Sequence, residues 1–124
     1  MSTVLIVEDN EKNMKLARDI LQAKGYQTLE AVTGEEGVKL ARERLPDLVL
    51  MDIQLPGING IEAFRQIRAG AGTARIPVVA LTASVTPTDR SAISAAGFDA
   101  FVSKPINLRE FLDTVQRLVA GGRT

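Results

Sequence analysis

Apolar residues along this chain fall into two rhythms that take turns. Short runs rich in Val, Ile, Leu and aromatics, at 3–8, 26–31, 47–52, 77–82 and 100–103, read as strands, and each is followed by a stretch of helical character. The first, third and fourth runs are nearly continuous in apolar residues, as parallel strands covered on both faces must be. The second alternates apolar and polar positions, and the fifth is short and ends in Lys104-Pro105, so these two suit the edges of a sheet.

Thr33 with Glu36, Asn59 with Glu62, Thr86 with Asp89 and Asn107 with Glu110 each place an N-cap three residues before an acidic side chain. Pro87 follows Thr86 at the first helical position, where its missing N–H costs nothing. The last helix carries the clearest apolar stripe, predicted from Leu108, Phe111, Leu112, Val115, Leu118 and Val119. The first is expected to bury Leu16, Ala17, Ile20 and Leu21 and to stop at Gly25. The fourth, at 87–96, offers only Ile93 and alanines and is expected to be the least firmly packed. Strict alternation of strand and helix predicts an α/β fold with a parallel sheet. With the second and fifth runs at the edges, the strand order is 2-1-3-4-5. That flavodoxin-like arrangement binds ligands beyond the carboxyl ends of its strands.

Length and composition narrow the chemistry. At 124 residues the chain is one domain long, 1–124, with no second, output domain expected. No apolar run approaches the roughly 18 residues of a membrane span and no secretory signal is visible, so a cytoplasmic location is the default expectation. Fifteen basic and fifteen acidic residues cancel without long blocks of either sign, which argues against nucleic acid or anionic lipid as a partner. The absence of cysteine excludes disulfides and thiol nucleophiles, and the absence of histidine excludes imidazole catalysis and a phosphohistidine within the chain.

At the strand ends stand Glu8-Asp9, Asp52, Thr82-Ala83 and Lys104-Pro105. Each has a plain reading: Asp9 and Asn10 as helix caps, Asp52 as a turn residue, Thr82 as a strand end, Lys104 as a charge that blunts an edge. Together they are harder to set aside. Three carboxylates in one crevice raise one another's pKa unless a cation joins them, and a set of oxygen ligands suits Mg²⁺ before Zn²⁺. A metal, an ammonium, a hydroxyl and a backbone N–H are also what a phosphoryl group needs to be received.

These residues, in order, resemble the receiver domain of two-component response regulators over nearly the whole chain: Glu8-Asp9 after the first strand, Asp52 after "LVLM" and before "LPGING", Thr82-Ala83 after "PVVAL", and Lys104-Pro105 after "AFVS". The segment "VLIVEDNEKNMKL" is most similar to stand-alone receivers and to those attached to hybrid kinases. The resemblance implies that Asp52 takes a phosphoryl group from a phosphohistidine on a sensor histidine kinase or phosphotransfer protein, or from acetyl phosphate. It implies that Asp9, Asp52 and the main-chain carbonyl of Gln54 hold Mg²⁺ (or Mn²⁺), with Glu8 acting through water. Lys104, joined to Pro105 by a cis peptide bond, would pair with a phosphoryl oxygen, and the Thr82 hydroxyl and Ala83 N–H would orient it. Phe101 falls at the family's aromatic switch position, although an ordinary edge-strand aromatic would look the same. The family's readout face comprises helix four, strand five and helix five, where a downstream protein would dock.

Other functions suit the same fold. An FMN protein needs a phosphate-cradling loop after the first strand, and the anionic "EDNEKN" there would repel it. A phosphatase with an aspartate nucleophile would usually carry a second aspartate where this chain has Gln54. A phosphate-independent interaction module, or the receiver fragment of a hybrid kinase, remains as the alternative to a phosphorylated single-domain response regulator.

Overall fold

Five parallel strands alternate with five helices in the computed structural model, which describes residues 2–83 and 87–121, the side chains of Pro87 and Asp89 excepted. In chain order these are β1 (Thr3–Val7), α1 (Glu11–Ala23), β2 (Gln27–Ala31), α2 (Gly34–Arg44), β3 (Leu48–Asp52), α3 (Gly60–Ala69), β4 (Val78–Thr82), α4 (Pro87–Ala96), β5 (Ala100–Ser103) and α5 (Leu108–Gly121). The sheet runs β2-β1-β3-β4-β5, with β2 and β5 at the edges as their composition predicts. Each strand lies within one residue of its expected ends.

Apart from Thr3, Asp52 and Thr82 at their ends, the central strands are apolar because helices cover both sides of the sheet. On one side Val4, Ile6, Leu48, Leu50, Val79 and Leu81 pack with Met14, Ala17 and Leu21 of α1 and Phe111 and Val115 of α5. On the other, Leu5, Val7, Val49, Met51 and Val78 pack with Val38 and Ala41 of α2 and Ala63, Phe64 and Ile67 of α3. Two expected core residues are corrected. Leu16 is 43% exposed and Leu108 is 57% exposed. The buried stripe of α1 passes through Met14, Ala17 and Leu21, which leaves Leu16 on its flank, and Leu108 is the first residue of α5.

The caps form as the sequence predicts. Asn10, Thr33, Asn59 and Asn107 accept hydrogen bonds from the backbone N–H groups of Asn13, Glu36, Glu62 and Glu110 at 3.0–3.1 Å. The Thr86 cap lies outside the described residues, while α4 does begin at Pro87. Gly25 takes a φ of +88° just past α1, the left-handed conformation that ends a helix most readily with glycine. Ile93 is the buried residue among the described side chains of α4, in keeping with its thin apolar face. Among the described residues no helix is long and apolar enough to cross a membrane.

Register decides where the chemistry gathers. Val7 pairs with Met51, Asp52 with Leu81 and Thr82 with Ser103, so the carboxyl ends of β1, β3, β4 and β5 form one rim. Glu8, Asp52, Thr82 and Lys104 lie on that rim.

Candidate functional site

Glu8 leaves β1 with its N–H still bonded to Ala31 O at 2.9 Å, which carries the strand geometry one residue past the core. Its side chain is 1% exposed. Oε2 accepts from the Asn10 N–H at 3.1 Å, and Oε1 accepts from Lys104 Nζ at 2.5 Å. Asp9, between them, faces solvent while Asn10 caps α1.

Asp52 is the last residue of β3 and is 3% exposed. Its Oδ1 accepts from the Gln54 N–H at 3.0 Å and its Oδ2 accepts from Lys104 Nζ at 3.0 Å. Just past it the chain is pinned from two sides: Ile53 N–H donates to Leu81 O, and Gly60 N–H donates to Ile53 O, both at 3.0 Å. A Cβ on Gly60 would stand 2.1 Å from the Asp52 carbonyl oxygen, so the start of α3 presses against the backbone of Asp52 at a distance only glycine permits. Sequence reasoning passed over Gly60, although a glycine in a helical position, where alanine would be favoured, was a usable signal.

Lys104 reaches the crevice from the other edge. Its N–H donates to Thr82 O at 2.8 Å, continuing the β4–β5 ladder, and its peptide bond to Pro105 is cis. Its Nζ bridges Glu8 and Asp52, joining the ends of β1, β3 and β5. Thr82 is buried at the end of β4 and Ala83, next to it, is exposed. Phe101 stands apart from this cluster, 38% exposed on β5, with the Arg90 guanidinium of α4 over its ring at 5.3 Å from the centroid. Nothing in the sequence marks Arg90.

The charges explain the arrangement. Carboxylate oxygens of Glu8, Asp9 and Asp52 lie within 4.8 Å of one another. Burial, and then the neighbouring Asp52, push Glu8 up from 4.5 to about 7, against the pull of Lys104 and the Asn10 N–H. Burial alone would lower Lys104, but its hydrogen bonds to Glu8 and Asp52 outweigh it and hold the ammonium above its ordinary value. With all four groups ionised, three carboxylates face one ammonium, a formal charge of −2. A divalent cation would balance it. All-oxygen donors of this kind fit Mg²⁺ or Mn²⁺. A groove lined by Glu8, Asp9, Lys12, Lys15, Arg18 and Glu30 opens beside the cluster and leaves it accessible from α1.

Comparison with known proteins agrees with the fold. The family profile described as "Response regulator receiver domain" matches residues 4–116. The polar-differentiation response regulator DivK of Brucella ovis is 45% identical over 114 residues, 92% of this chain and 93% of that protein. The receiver domain of a sensor histidine kinase of Pseudomonas aeruginosa, solved with magnesium in its active-site cleft, superposes with a TM-score of 0.90 at 33% identity, covering 96% of this chain and 98% of that one. The chemotaxis protein CheY4 of Vibrio cholerae superposes with a TM-score of 0.88 at 27% identity, covering 94% and 98%.

Proposed function

From the premise that this chain belongs to the response regulator receiver domain family, we propose that Asp52 is the phosphoacceptor of a phosphorylation-controlled switch in protein contacts. One observation carries this reading: Asp52 is a buried carboxylate held between the Gln54 N–H and Lys104 Nζ, beside Glu8 and Asp9, at the rim where β3 ends.

An oxygen of Asp52 attacks the phosphorus of a phosphohistidine on a sensor kinase or phosphotransfer protein, or of acetyl phosphate. The new O–P bond forms as the bond to the imidazole nitrogen breaks and the imidazole keeps that electron pair; from acetyl phosphate the bond that breaks is the one to the acetyl oxygen, and acetate leaves with the pair. The donor histidine lies outside these 124 residues, which contain none. Lys104 Nζ, now shared by Glu8 and Asp52, turns to a phosphoryl oxygen, and the Thr82 hydroxyl and Ala83 N–H orient the other oxygens. Asp9, Asp52 and the Gln54 carbonyl would hold Mg²⁺, with Glu8 assisting through water; the ion supplies neutralisation of phosphoryl charge. The chain assists its own phosphorylation and dephosphorylation and acts on no separate substrate.

Engagement of Thr82 with the phosphoryl group draws Phe101 inward and alters the face made by α4, β5 and α5, which a downstream protein reads. Partners are proteins, with neither nucleic acid nor membrane required, and the site of action is the cytoplasm. Calorimetric titration with beryllofluoride tests the reading. Saturable one-to-one binding that requires Mg²⁺ is expected. No binding with Mg²⁺ present would favour a phosphate-independent interaction module.

A further inference from the structure

We propose that Arg90 is a latch: its guanidinium, seated on the exposed ring of Phe101, holds the α4–β5 face in its unphosphorylated arrangement. This rests on the reading of Asp52 as phosphoacceptor and adds a residue of α4 to its control.

The guanidinium carbon lies 5.3 Å from the ring centroid, inside the roughly 6 Å over which a cation is attracted to an aromatic face. Register gives the ring a second place to go. Phe101 pairs with Ala80, whose side chain is a single methyl group, and Thr82 is the next residue of β4 on the same face. With strands about 4.8 Å apart and two residues rising about 6.6 Å, Thr82 lies roughly 8 Å from Phe101 along a diagonal, within the reach of an aromatic side chain. Turned outward, the ring meets Arg90; turned toward Thr82, it leaves Arg90 behind.

A contact made in one state and lost in the other shifts the balance by its own worth. At an exposed site a cation–π contact biases a population roughly twofold to fivefold. The bias falls on an element able to respond, because α4 buries Ile93 alone among its described side chains and half-buries Ala96, while Ala92, Ala95 and its described polar residues face solvent. Release of Arg90 would also present a free cation on the readout face whenever Asp52 is phosphorylated.

The experiment compares the parent with Arg90→Met, which keeps the apolar stem and removes the cation, and Arg90→Lys, each alone and combined with Phe101→Leu. Beryllofluoride affinity is measured with Mg²⁺ by calorimetry, and the Phe101 ring is followed by fluorine NMR of protein carrying 4-fluorophenylalanine. Arg90→Met should tighten beryllofluoride binding twofold to fivefold, Arg90→Lys less, and neither should act once Phe101 is leucine. The Phe101 resonance in Arg90→Met should move toward its beryllofluoride-bound position before any beryllofluoride is added. An unmoved resonance, or an affinity change of equal size with and without the ring, would overturn the latch. Should the parent bind no beryllofluoride, the phosphoacceptor reading fails and the latch, which rests on it, fails with it; an unmoved Phe101 resonance in a parent that does bind overturns the latch alone.

Discussion

Lys104 Nζ stands 2.5 Å from Glu8 Oε1, an ion pair that spans the sheet from β5 to β1 between two largely buried side chains. The same ammonium reaches Asp52 at 3.0 Å, so the protein holds its acidic rim together with an internal cation before any other arrives. Replacing Lys104 therefore does more than remove a phosphoryl contact. Lys104→Met strands two buried carboxylates, and Glu8 can relieve only part of the cost by taking up a proton. A stability loss of about 2 kcal/mol is expected from urea unfolding at pH 8 in EDTA. A loss below about 0.5 kcal/mol would mean the bridge contributes little.

Glu8 sets an unusual dependence of stability on pH. Its pKa is about 7 in the folded chain, against 4.5 for the ordinary group. Between these values the folded protein keeps a proton that the unfolded chain has released, so this group's contribution to stability is full below 4.5 and declines as pH rises to about 7. The usual depressed carboxylate gives the opposite slope. Without divalent metal, urea midpoints at pH 5, 6 and 7.5 should fall in the parent and flatten in Glu8→Gln. Equal slopes in the two proteins would count against a raised Glu8.

Gly60 tests how the acceptor is positioned. Because a Cβ there would stand 2.1 Å from the Asp52 carbonyl oxygen, and the obstacle is backbone, Gly60→Ala cannot be accommodated by a rotamer change. Overpacking of this kind costs roughly 1–3 kcal/mol. The variant should also bind beryllofluoride at least tenfold more weakly, since the Asp52 backbone must shift. Retention of parental stability and affinity would show that the α3 start does not position Asp52.

Much of this arrangement was legible from residue order alone. Continuous apolar runs identified β1, β3 and β4 as internal, and alternation in β2 and shortness in β5 identified the edges. From that order it followed that Glu8, Asp52, Thr82 and Lys104 share a rim. Features that depend on distance were not legible. Nothing in the order of residues shows that Gly60 touches the carbonyl of Asp52, or that the register of β5 brings Phe101 under Arg90. Leu16 fitted a helical stripe by type, yet Met14 sits on the buried face and Leu16 beside it. A stripe read from Leu16, Ala17, Ile20 and Leu21 is rotated by the Met14 it leaves out. Leu108 fitted by spacing, but as the first residue of α5 it stands exposed, while Phe111, three residues on, reaches the core.

The central claim, that Asp52 accepts a phosphoryl group with help from a divalent cation, is tested most directly by intact mass after incubation with acetyl phosphate. Parent and Asp52→Asn are compared with and without Mg²⁺. The account predicts a gain of one phosphoryl group that requires Mg²⁺ and is absent from Asp52→Asn. An adduct that persists in Asp52→Asn, or no adduct on a parent that also fails to bind beryllofluoride, would contradict it.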